Sequence, residues 1–297
     1  MVDLVLAIFG PTASGKSSVA EAITDRIPAE LVSADSMQVY SGLPILANQP
    51  TSPTRLVAIW PLDHEASVGE YERLAHAAID EILAGDRSPV VVGGTGLYLR
   101  AALTDLELPP PATPEARRRW EAFYDAHGGL HAHGRLQALD PEAAAAVHPN
   151  DRRRVVRALE LAEVGSSLAG DRLWNEDYRR PTLLVGLEVA PAELERRIEE
   201  RTRAMFDAGV EEEVRSALAR PISATARQML GLDEIAALSR EEAIRAVIVR
   251  TRRYAAYQRK WMRRTAGLVS VPADRPAAEV ADEILEMART RQRVPRR

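Results

Sequence analysis

The stretch that decides the fold is Gly10-Pro11-Thr12-Ala13-Ser14-Gly15-Lys16-Ser17. An apolar run from Leu4 to Phe9 precedes it and is typical of a buried strand, and a helix is predicted over residues 15–26. A strand, a glycine-bracketed loop and a helix are the context in which G-x-x-x-x-G-K-[ST] predicts a phosphate-binding P-loop. The backbone N–H groups of such a loop surround an anion at the positive end of the helix dipole.

Lys16 and Ser17 are the side chains that give this loop its chemistry. Lys16 is expected to reach the outer phosphates of a ligand, and the Ser17 hydroxyl is expected to ligate Mg²⁺. The chain has only two lysines, and a compact ammonium suits a phosphate cradle better than the guanidinium groups used elsewhere. The alternative is a strand-to-helix turn that only resembles the motif, but motif and flanks agree on a functional loop.

The composition excludes several classes of protein. The 297 residues are 46% hydrophobic and 28% charged, as in ordinary globular proteins, and include no cysteine, which excludes disulfides and thiolate metal sites. The first apolar run has the length of a strand, so neither a signal peptide nor a membrane span is predicted, and a cytoplasmic enzyme is expected. The net charge of −4 argues against a general nucleic-acid binder. Local basic patches remain, since residues 241–264 carry eight basic and two acidic side chains.

Strands and helices alternate along the first hundred residues. Apolar runs at 31–34, 54–62 and 89–92 predict further strands, and helical spacing covers 67–83. This alternation predicts an α/β fold, with a parallel sheet between two layers of helices. Ligands of such sheets bind beyond the carboxyl ends of the strands. Asp35 and the loop Gly93-Gly94-Thr95-Gly96 are therefore expected to face the crevice of the P-loop.

The pattern changes after Leu108, where Pro109-Pro110-Pro111 breaks the chain. A small all-helical insertion domain is predicted over 109–149, between a first core segment, 1–108, and a second, 150–297. The second segment begins with a helix over 151–164 that carries an arginine cluster. Strands are expected over 182–189 and 267–271, with a long helix over 241–264.

Two features leave more than one interpretation open. Asp35 is the only acidic residue at the end of an early strand beside the P-loop. It could ligate a metal through water, act as a general base, or cap a turn. The run Arg152-Arg153-Arg154 is either a phosphate-binding cluster or a solvated helix face.

Four further motifs follow the P-loop in order. They are Asp35-Ser36-Met37-Gln38, Gly93-Gly94-Thr95-Gly96-Leu97-Tyr98, Asn150-Asp151-Arg152-Arg153-Arg154-Val155-Val156-Arg157-Ala158-Leu159-Glu160, and Thr225-Ala226-Arg227-Gln228. Together with the P-loop, they resemble the tRNA dimethylallyltransferases, also called isopentenylpyrophosphate transferases. The resemblance extends from about Leu4 to Arg264. The P-loop alone is generic, whereas the five motifs in this order are specific.

The resemblance implies a P-loop NTPase-like sheet and transfer of a dimethylallyl group from dimethylallyl diphosphate to the N6 amine of adenosine 37 in a tRNA anticodon loop. It implies that residues 10–17 hold the diphosphate, with Mg²⁺ as cofactor, that Asp35 accepts a proton from the amine, and that Thr95 lies at the reaction centre. The insertion domain would grip the anticodon stem-loop, and a monomer without membrane contact is expected. The implied tRNA-binding residues are Asp35, Ser36, Met37, Gln38, Thr95, Arg117, Arg153, Arg154, Val155, Val156 and Arg157.

The sequence departs from the family pattern in three places, Leu46–Gln49, Trp60–His64 and Tyr257–Arg263. The P-loop, Asp35 and Thr95 are intact. Three alternatives remain at this point: an adenylate isopentenyltransferase acting on free nucleotide, a P-loop small-molecule kinase, and an RNA-binding regulator without catalysis. The predicted helical insertion and the arginine runs argue against the first of these, because a mononucleotide needs neither.

Overall fold

A computed structural model of the chain describes residues 4–106, 113–168 and 177–293. The chain separates into two compact units. One is formed by Met1–Leu106 together with Glu176–Arg297, and the other by Glu107–Asn175. We call them the α/β unit and the helical unit. In the part of the chain that the structure describes, no helix is long and apolar enough to cross a membrane.

The α/β unit is built on a six-stranded parallel sheet, as predicted. The strands are β1 (Val5–Phe9), β2 (Ala29–Ser33), β3 (Thr54–Arg55), β4 (Ser88–Gly93), β5 (Thr182–Glu188) and β6 (Val269–Pro272), in the spatial order β3-β2-β4-β1-β5-β6. The central strands are rich in Val, Ile and Leu and are buried almost throughout, because helices cover both faces of the sheet.

The helices of this unit form two layers on the sheet. They are α1 (Lys16–Thr24), α2 (Val68–Ala84), α3 (Gly96–Leu103), α7 (Pro191–Asp207), α8 (Val210–Leu218), α9 (Leu232–Ala237), α10 (Arg240–Arg264) and α11 (Ala277–Arg293). The start of α10 has a capping box, in which the Ser239 and Glu242 side chains each accept from the other residue's backbone N–H. That box stabilises the first turn of the longest helix described in the unit.

The register of the sheet brings the two glycine-rich loops together. β1 pairs with β4, and Phe9 lies opposite Gly93, so both strands end at the same level. The P-loop follows Phe9 directly, and the loop that contains Thr95 follows Gly93. Strand β2 pairs with the other side of β4, which places Asp35 beyond the same edge of the sheet. The expectation that these three segments share one crevice is confirmed.

The third strand is shorter than the sequence predicts. Only Thr54–Arg55 pairs with β2, whereas a strand was expected over 54–62. Leu56 and Ala58 have φ values of 64° and 54°, outside the extended region, so the chain turns away from the sheet. Trp60 forms only an isolated bridge with Tyr40. Leu56, Trp60 and Leu62 of this run are buried by turns and not by pairing in the sheet, whereas Ile59 is 38% exposed.

The helical unit consists of α4 (Pro114–Leu139), α5 (Pro141–Ala146) and α6 (Arg152–Glu163). Its core contains Leu136, Val155 and Leu159, all fully buried. The boundary drawn from the sequence at residue 149 is wrong for α6, which packs against α4 within this unit and does not belong to the returning core. The other predicted boundary, at 108, lies outside the described residues.

A glycine-to-alanine change at the end of β4 tests the close approach of β2 and β4. A Cβ at Gly93 would lie 2.1 Å from the carbonyl oxygen of Ala34. Because that neighbour is backbone, Gly93→Ala should lower the free energy of unfolding by about 1–3 kcal/mol, the range for overpacked sites. Urea denaturation measures this. Gly134→Ala is the control, since nothing lies within 4 Å of its Cβ and it should not destabilise. Equal unfolding midpoints for both variants would contradict a tight approach of the two strands.

Candidate active site

The P-loop has the backbone of an anion cradle. Ala13 and Gly15 have left-handed φ values of 64° and 88°, and α1 begins immediately afterwards at Lys16. Successive N–H groups in such a turn point to a common centre, and the helix N-terminus adds its partial positive charge there. Lys16 folds over the loop, since its Nζ donates to the carbonyl oxygens of Gly10 at 3.0 Å and Pro11 at 2.7 Å.

The surroundings of Lys16 disfavour the charged form of its ammonium group. Burial lowers its pKa from 10.5 to about 8, and the nearby guanidinium of Arg201 acts in the same direction. Asp35 opposes both effects. An anion bound in the loop would raise this pKa, because a negative charge close to the ammonium favours its protonated form. The loop is therefore poised to bind a phosphate-type group.

Asp35 lies at the end of β2 and shares a small cavity of about 40 Å³ with Lys16 and Ser17. Its Oδ1 accepts a hydrogen bond from Met37 N–H at 2.9 Å, so the turn interpretation is correct for one oxygen. Among the described residues, the carboxylate accepts no other hydrogen bond. Asp35 is half-buried, which leaves the second oxygen available to a substrate or a metal. The turn and the chemical roles are therefore compatible.

Thr95 is tied to the segment that follows Asp35. Its Oγ1 accepts from Ser36 N–H at 3.3 Å and lies 3.3 Å from Ser36 Oγ. The hydroxyl of Tyr254, on α10, lies at the same distance of 3.3 Å. Burial raises the pKa of Tyr254, with Asp35 contributing, so this hydroxyl stays protonated and can donate. Thr95 is thus held in place from two directions at the crevice.

Met37 and Gln38, which are also predicted to contact tRNA, have side chains that are engaged within the protein. The Gln38 carboxamide is used within the loop, since it accepts from Ser33 Oγ and donates to the Asn48 carbonyl. Met37 packs against the core as a partly buried side chain. Gln38 nevertheless lines the same cavity as Asp35 and Lys16. Its contact with tRNA remains a prediction.

Arg201 is a site residue that sequence reasoning missed. Its Nε is buried without a hydrogen-bond partner, and burial lowers the pKa of the guanidinium while Asp35 partly offsets that effect. Arg201 also influences the pKa of Lys16, so the three charges lie close together. A buried donor without a partner is costly, and a bound anion would satisfy it. The helical spacing could have identified Arg201. Leu194, Ile198 and Met205 form a buried row of α7, and residue 201 falls in the same row.

Gln258, also missed, joins the two loops. Its Oε1 accepts from Thr12 N–H at 2.7 Å, and its Nε2 donates to the Gly94 carbonyl at 2.8 Å. The side chain is 2% exposed, so the two bonds are shielded from water. A Cβ at Gly94 would lie 2.2 Å from Nε2, which explains why glycine is needed there. Gln258 therefore fixes the position of the P-loop against the loop that contains Thr95.

Replacing Gln258 by glutamate should test this bridge. A glutamate can accept from Thr12 but, when ionised, cannot donate to Gly94. Loss of one buried bond costs about 1–3 kcal/mol. Turnover should therefore fall roughly 10- to 100-fold at pH 8 and recover partly at pH 6, because burial raises the pKa of a carboxyl group and the protonated form donates. Gln258→Met should show the loss without the recovery. Equal pH profiles for the two variants would contradict a hydrogen-bonding role.

The four arginines among the predicted tRNA contacts divide into two groups. Arg117 and Arg157 pair with Glu160, at 3.4 Å and 3.1 Å, and Glu160 is 3% exposed. Those two cations therefore neutralise a buried carboxylate. Arg153 and Arg154 are exposed. The side chains of the predicted tRNA contacts Val155 and Val156 are buried, so the exposed arginines are the groups of this segment best placed to meet RNA.

The fold and the cradle define a P-loop α/β protein in which an acidic side chain faces the phosphate loop across one small cavity. The chain belongs to the IPP transferase family, whose model matches residues 38–265. It is 44% identical over 280 residues to a tRNA dimethylallyltransferase of Anaeromyxobacter dehalogenans, covering 89% of this chain and 93% of that one. It is 38% identical over 293 residues to one of Thermobifida fusca, covering 93% and 92%.

A solved relative has the same fold over nearly the whole chain. The crystal structure of the full-length tRNA isopentenylpyrophosphate transferase of Bacillus halodurans matches with a TM-score of 0.68 and 30% sequence identity. The match covers 98% of this chain and 99% of that one. The family expected from the five motifs is confirmed.

Proposed function

We propose that this protein transfers a dimethylallyl group from dimethylallyl diphosphate to the N6 amine of adenosine 37 in the anticodon loop of tRNA. The observation that carries the proposal is the shared cavity, where a proton acceptor, Asp35, faces the anion cradle of Lys16. The names of the relatives support the same reaction. We propose a monomeric enzyme that acts in the cytoplasm.

The reaction forms one carbon–nitrogen bond and breaks one carbon–oxygen bond. The exocyclic amine of adenine is a poor nucleophile, because its lone pair is delocalised into the ring. As it attacks the allylic carbon, Asp35 accepts one N–H proton, which prevents a positive charge on the product nitrogen. The electron pair of the breaking bond leaves with the diphosphate. The phosphorus atoms keep all their bonds to bridging and terminal oxygens.

The departing diphosphate gains negative charge, and the cradle would stabilise it. Lys16, the N–H groups at the start of α1 and the unpartnered Nε of Arg201 are fixed before the reaction begins. Preorganised donors of this kind lower a barrier without reorganising. Thr95, held by Ser36 and Tyr254, would orient the adenine against Asp35.

The residues beside the P-loop fit a magnesium ion that is shared with the substrate. Ser17 is exposed in the first turn of α1, and its neighbours at the cavity include the carboxylates of Asp35 and Glu21. Mg²⁺ prefers oxygen ligands and usually keeps water and substrate phosphates in its shell. Within the described residues, no group of three or more His, Asp or Glu side chains could bind a metal alone. When bound, the ion would neutralise charge on the diphosphate.

A labelling experiment tests the proposal. The protein is incubated with Mg²⁺, labelled dimethylallyl diphosphate and unmodified tRNA, and label in the tRNA is measured. We expect label at adenosine 37 and none in a tRNA with guanosine at that position. Label in free adenosine monophosphate with none in tRNA would instead indicate an adenylate isopentenyltransferase. ATP-dependent phosphorylation of a small molecule, with no prenyl transfer, would overturn the proposal.

The exposed arginines of α6 allow a separate test of tRNA binding. Arg153→Ala combined with Arg154→Ala should remove up to two phosphate contacts. The slope of log Kobs against log salt should then become shallower by roughly 0.7–0.9 for each phosphate that is no longer bound. Arg152→Ala is a matched control, because Arg152 pairs with Asp125 at 2.6 Å and should affect the slope less. An unchanged slope in the double variant would indicate a solvated helix face only.

A further inference from the structure

A buried carboxylate of the helical unit joins two of the arginines that are predicted to contact tRNA. Glu160 is 3% exposed, and each of its oxygens pairs with one guanidinium, Oε1 with Arg117 and Oε2 with Arg157. We propose that Glu160 is a positioning residue for tRNA binding, which holds these two cations where they contact phosphates of the anticodon stem-loop. The inference rests on the proposed function, since it takes tRNA as the substrate.

The place of Glu160 in α6 would suit an apolar side chain. Its neighbours Val156, Leu159 and Leu161 in the same helix are buried. Taking a carboxylate and its cationic partners out of water is costly, and well-packed hydrophobic residues often replace such a group without loss of stability. The stability of the fold therefore does not by itself account for this carboxylate, whereas the alignment of two guanidinium groups does.

The pairing leaves Arg117 able to bind a second anion. Its Nε faces Glu160 at 3.4 Å, and its Nη groups form no hydrogen bond within residues 4–106, 113–168 and 177–293. The side chain is 52% exposed. The Nη groups of a guanidinium form a planar fork that matches two oxygens of a phosphate. A carboxylate at Nε and a phosphate at the fork are therefore compatible.

Arg157 approaches the same carboxylate from one turn earlier in α6. Its Nη1 donates to Oε2 at 3.1 Å, and its side chain is 24% exposed. Arg117 comes from α4, so the carboxylate joins the two helices at this point. Two cations that share one carboxylate lie close together, although they belong to different helices. They offer RNA one compact patch of positive charge.

The neighbouring arginines of α4 lack such an anchor. Arg118 and Arg119 pair with Glu115 and Glu163, both of which are exposed carboxylates. Exposed ion pairs contribute little, because water and salt screen them and both side chains can move. Glu160 lies among closely packed side chains, which hold it in one place. The buried pair therefore fixes the direction of its arginines, as the supporting groups of a binding site must.

Glu160→Gln tests the proposal, because positioning and mere neutralisation predict opposite results. Glutamine removes a negative charge, so arginines that Glu160 only neutralises would bind tRNA more tightly, with a steeper slope of log Kobs against log salt. If Glu160 positions them, the loss of one acceptor oxygen leaves at least one guanidinium without its anchor. The dissociation constant for unmodified tRNA should then rise about 10- to 100-fold, the range for one charge-assisted hydrogen bond. The slope should become shallower by roughly 0.7–0.9.

Two further variants separate positioning from net charge. Glu160→Asp keeps the charge but draws the carboxylate back by one methylene group, so tRNA binding should weaken although the charge is unchanged. Glu163→Gln makes the same charge change on the same helix, where Glu163 pairs with Arg119, and it should not weaken binding. Thermal unfolding checks that each variant is folded at the temperature of the binding assay.

A third comparison separates positioning from a general loosening of the helices. In a protein that carries both Arg117→Ala and Arg157→Ala, Glu160→Gln should cause no further loss of affinity, because the groups it acts through are gone. A further loss as large as that in the wild-type background would refute the proposal.

The outcomes separate this proposal from the proposed function. A wild-type protein that neither binds nor prenylates tRNA would refute the proposed function. A wild-type protein that does both, with a Glu160→Gln variant that binds tRNA at least as tightly, would refute the positioning role alone. An equal loss in Glu160→Gln and Glu163→Gln would also refute it. If Glu160→Gln does not fold, Glu160→Asp decides, and wild-type affinity in that variant would refute the role.

Discussion

Asp35→Asn should reduce kcat by about 10²- to 10⁴-fold, the range expected when a general base is lost. Asparagine keeps an oxygen that can accept from Met37 N–H, as Oδ1 of Asp35 does at 2.9 Å. The turn is therefore preserved, and only the ability to accept the proton of the amine is lost. The affinity for tRNA and for dimethylallyl diphosphate should change little. Single-turnover kinetics with separate binding measurements check both expectations.

Asp35→Ala is the comparison that separates the turn from the chemistry. Alanine removes the acceptor for Met37 as well, so this variant should also lose some stability, by about 1 kcal/mol for an ordinary hydrogen bond. If Asp35→Asn were as active as the wild type while Asp35→Ala were not, Asp35 would be a turn residue only. If both kept full activity, neither role would hold.

The grouping of the site could be predicted because it follows from strand order. Parallel strands end at a common edge, so the order of strands and loops in the sequence is enough to predict that Asp35 and Thr95 lie near the P-loop. The structure adds the strand register. Phe9 lies opposite Gly93, so the P-loop and the loop that contains Thr95 start side by side. It also adds the hydrogen bond between Ser36 and Thr95, which no local pattern reveals.

The residues that were missed reach the site from helices far along the chain. Gln258 lies 246 residues beyond Thr12, and only the packing of α10 over the loops brings them together. Arg201 stands among arginines of α7 that pair with glutamates, such as Arg196 and Arg203. Its position in the buried row distinguishes it, but the sequence does not say which cavity that row faces.

The predicted domain boundary at residue 149, which left α6 outside the helical unit, is wrong for a similar reason. The apolar residues Val155, Ala158 and Leu159 form a buried face of α6. An amphipathic face does not show which unit covers it. The strand predicted over 54–62 is too long for a different reason. An apolar residue can also be buried in a turn with positive φ, as Leu56 is, so an apolar run does not by itself show a strand.

Lys16→Met should raise KM for dimethylallyl diphosphate and lower kcat by about 10²- to 10³-fold, as expected for losing one donor to a developing oxyanion. Methionine keeps much of the length of the side chain but has no charge. Lys16→Arg should recover only part of the activity, because a planar guanidinium cannot repeat the bonds of Nζ to Gly10 and Pro11 in the same space. Steady-state kinetics with each variant measure the difference.

The pKa of Lys16 gives this prediction a pH dependence that a purely structural role would lack. The free enzyme has a pKa of about 8 at Lys16, so the affinity for the diphosphate should fall as the pH rises from 7 to 9. The unfolded chain, with a value of 10.5, binds more protons over pH 8–10, so stability should rise with pH there. Both slopes should be absent in Lys16→Met. If the variant kept them, another group would be titrating, and the ammonium would not be the anion's partner.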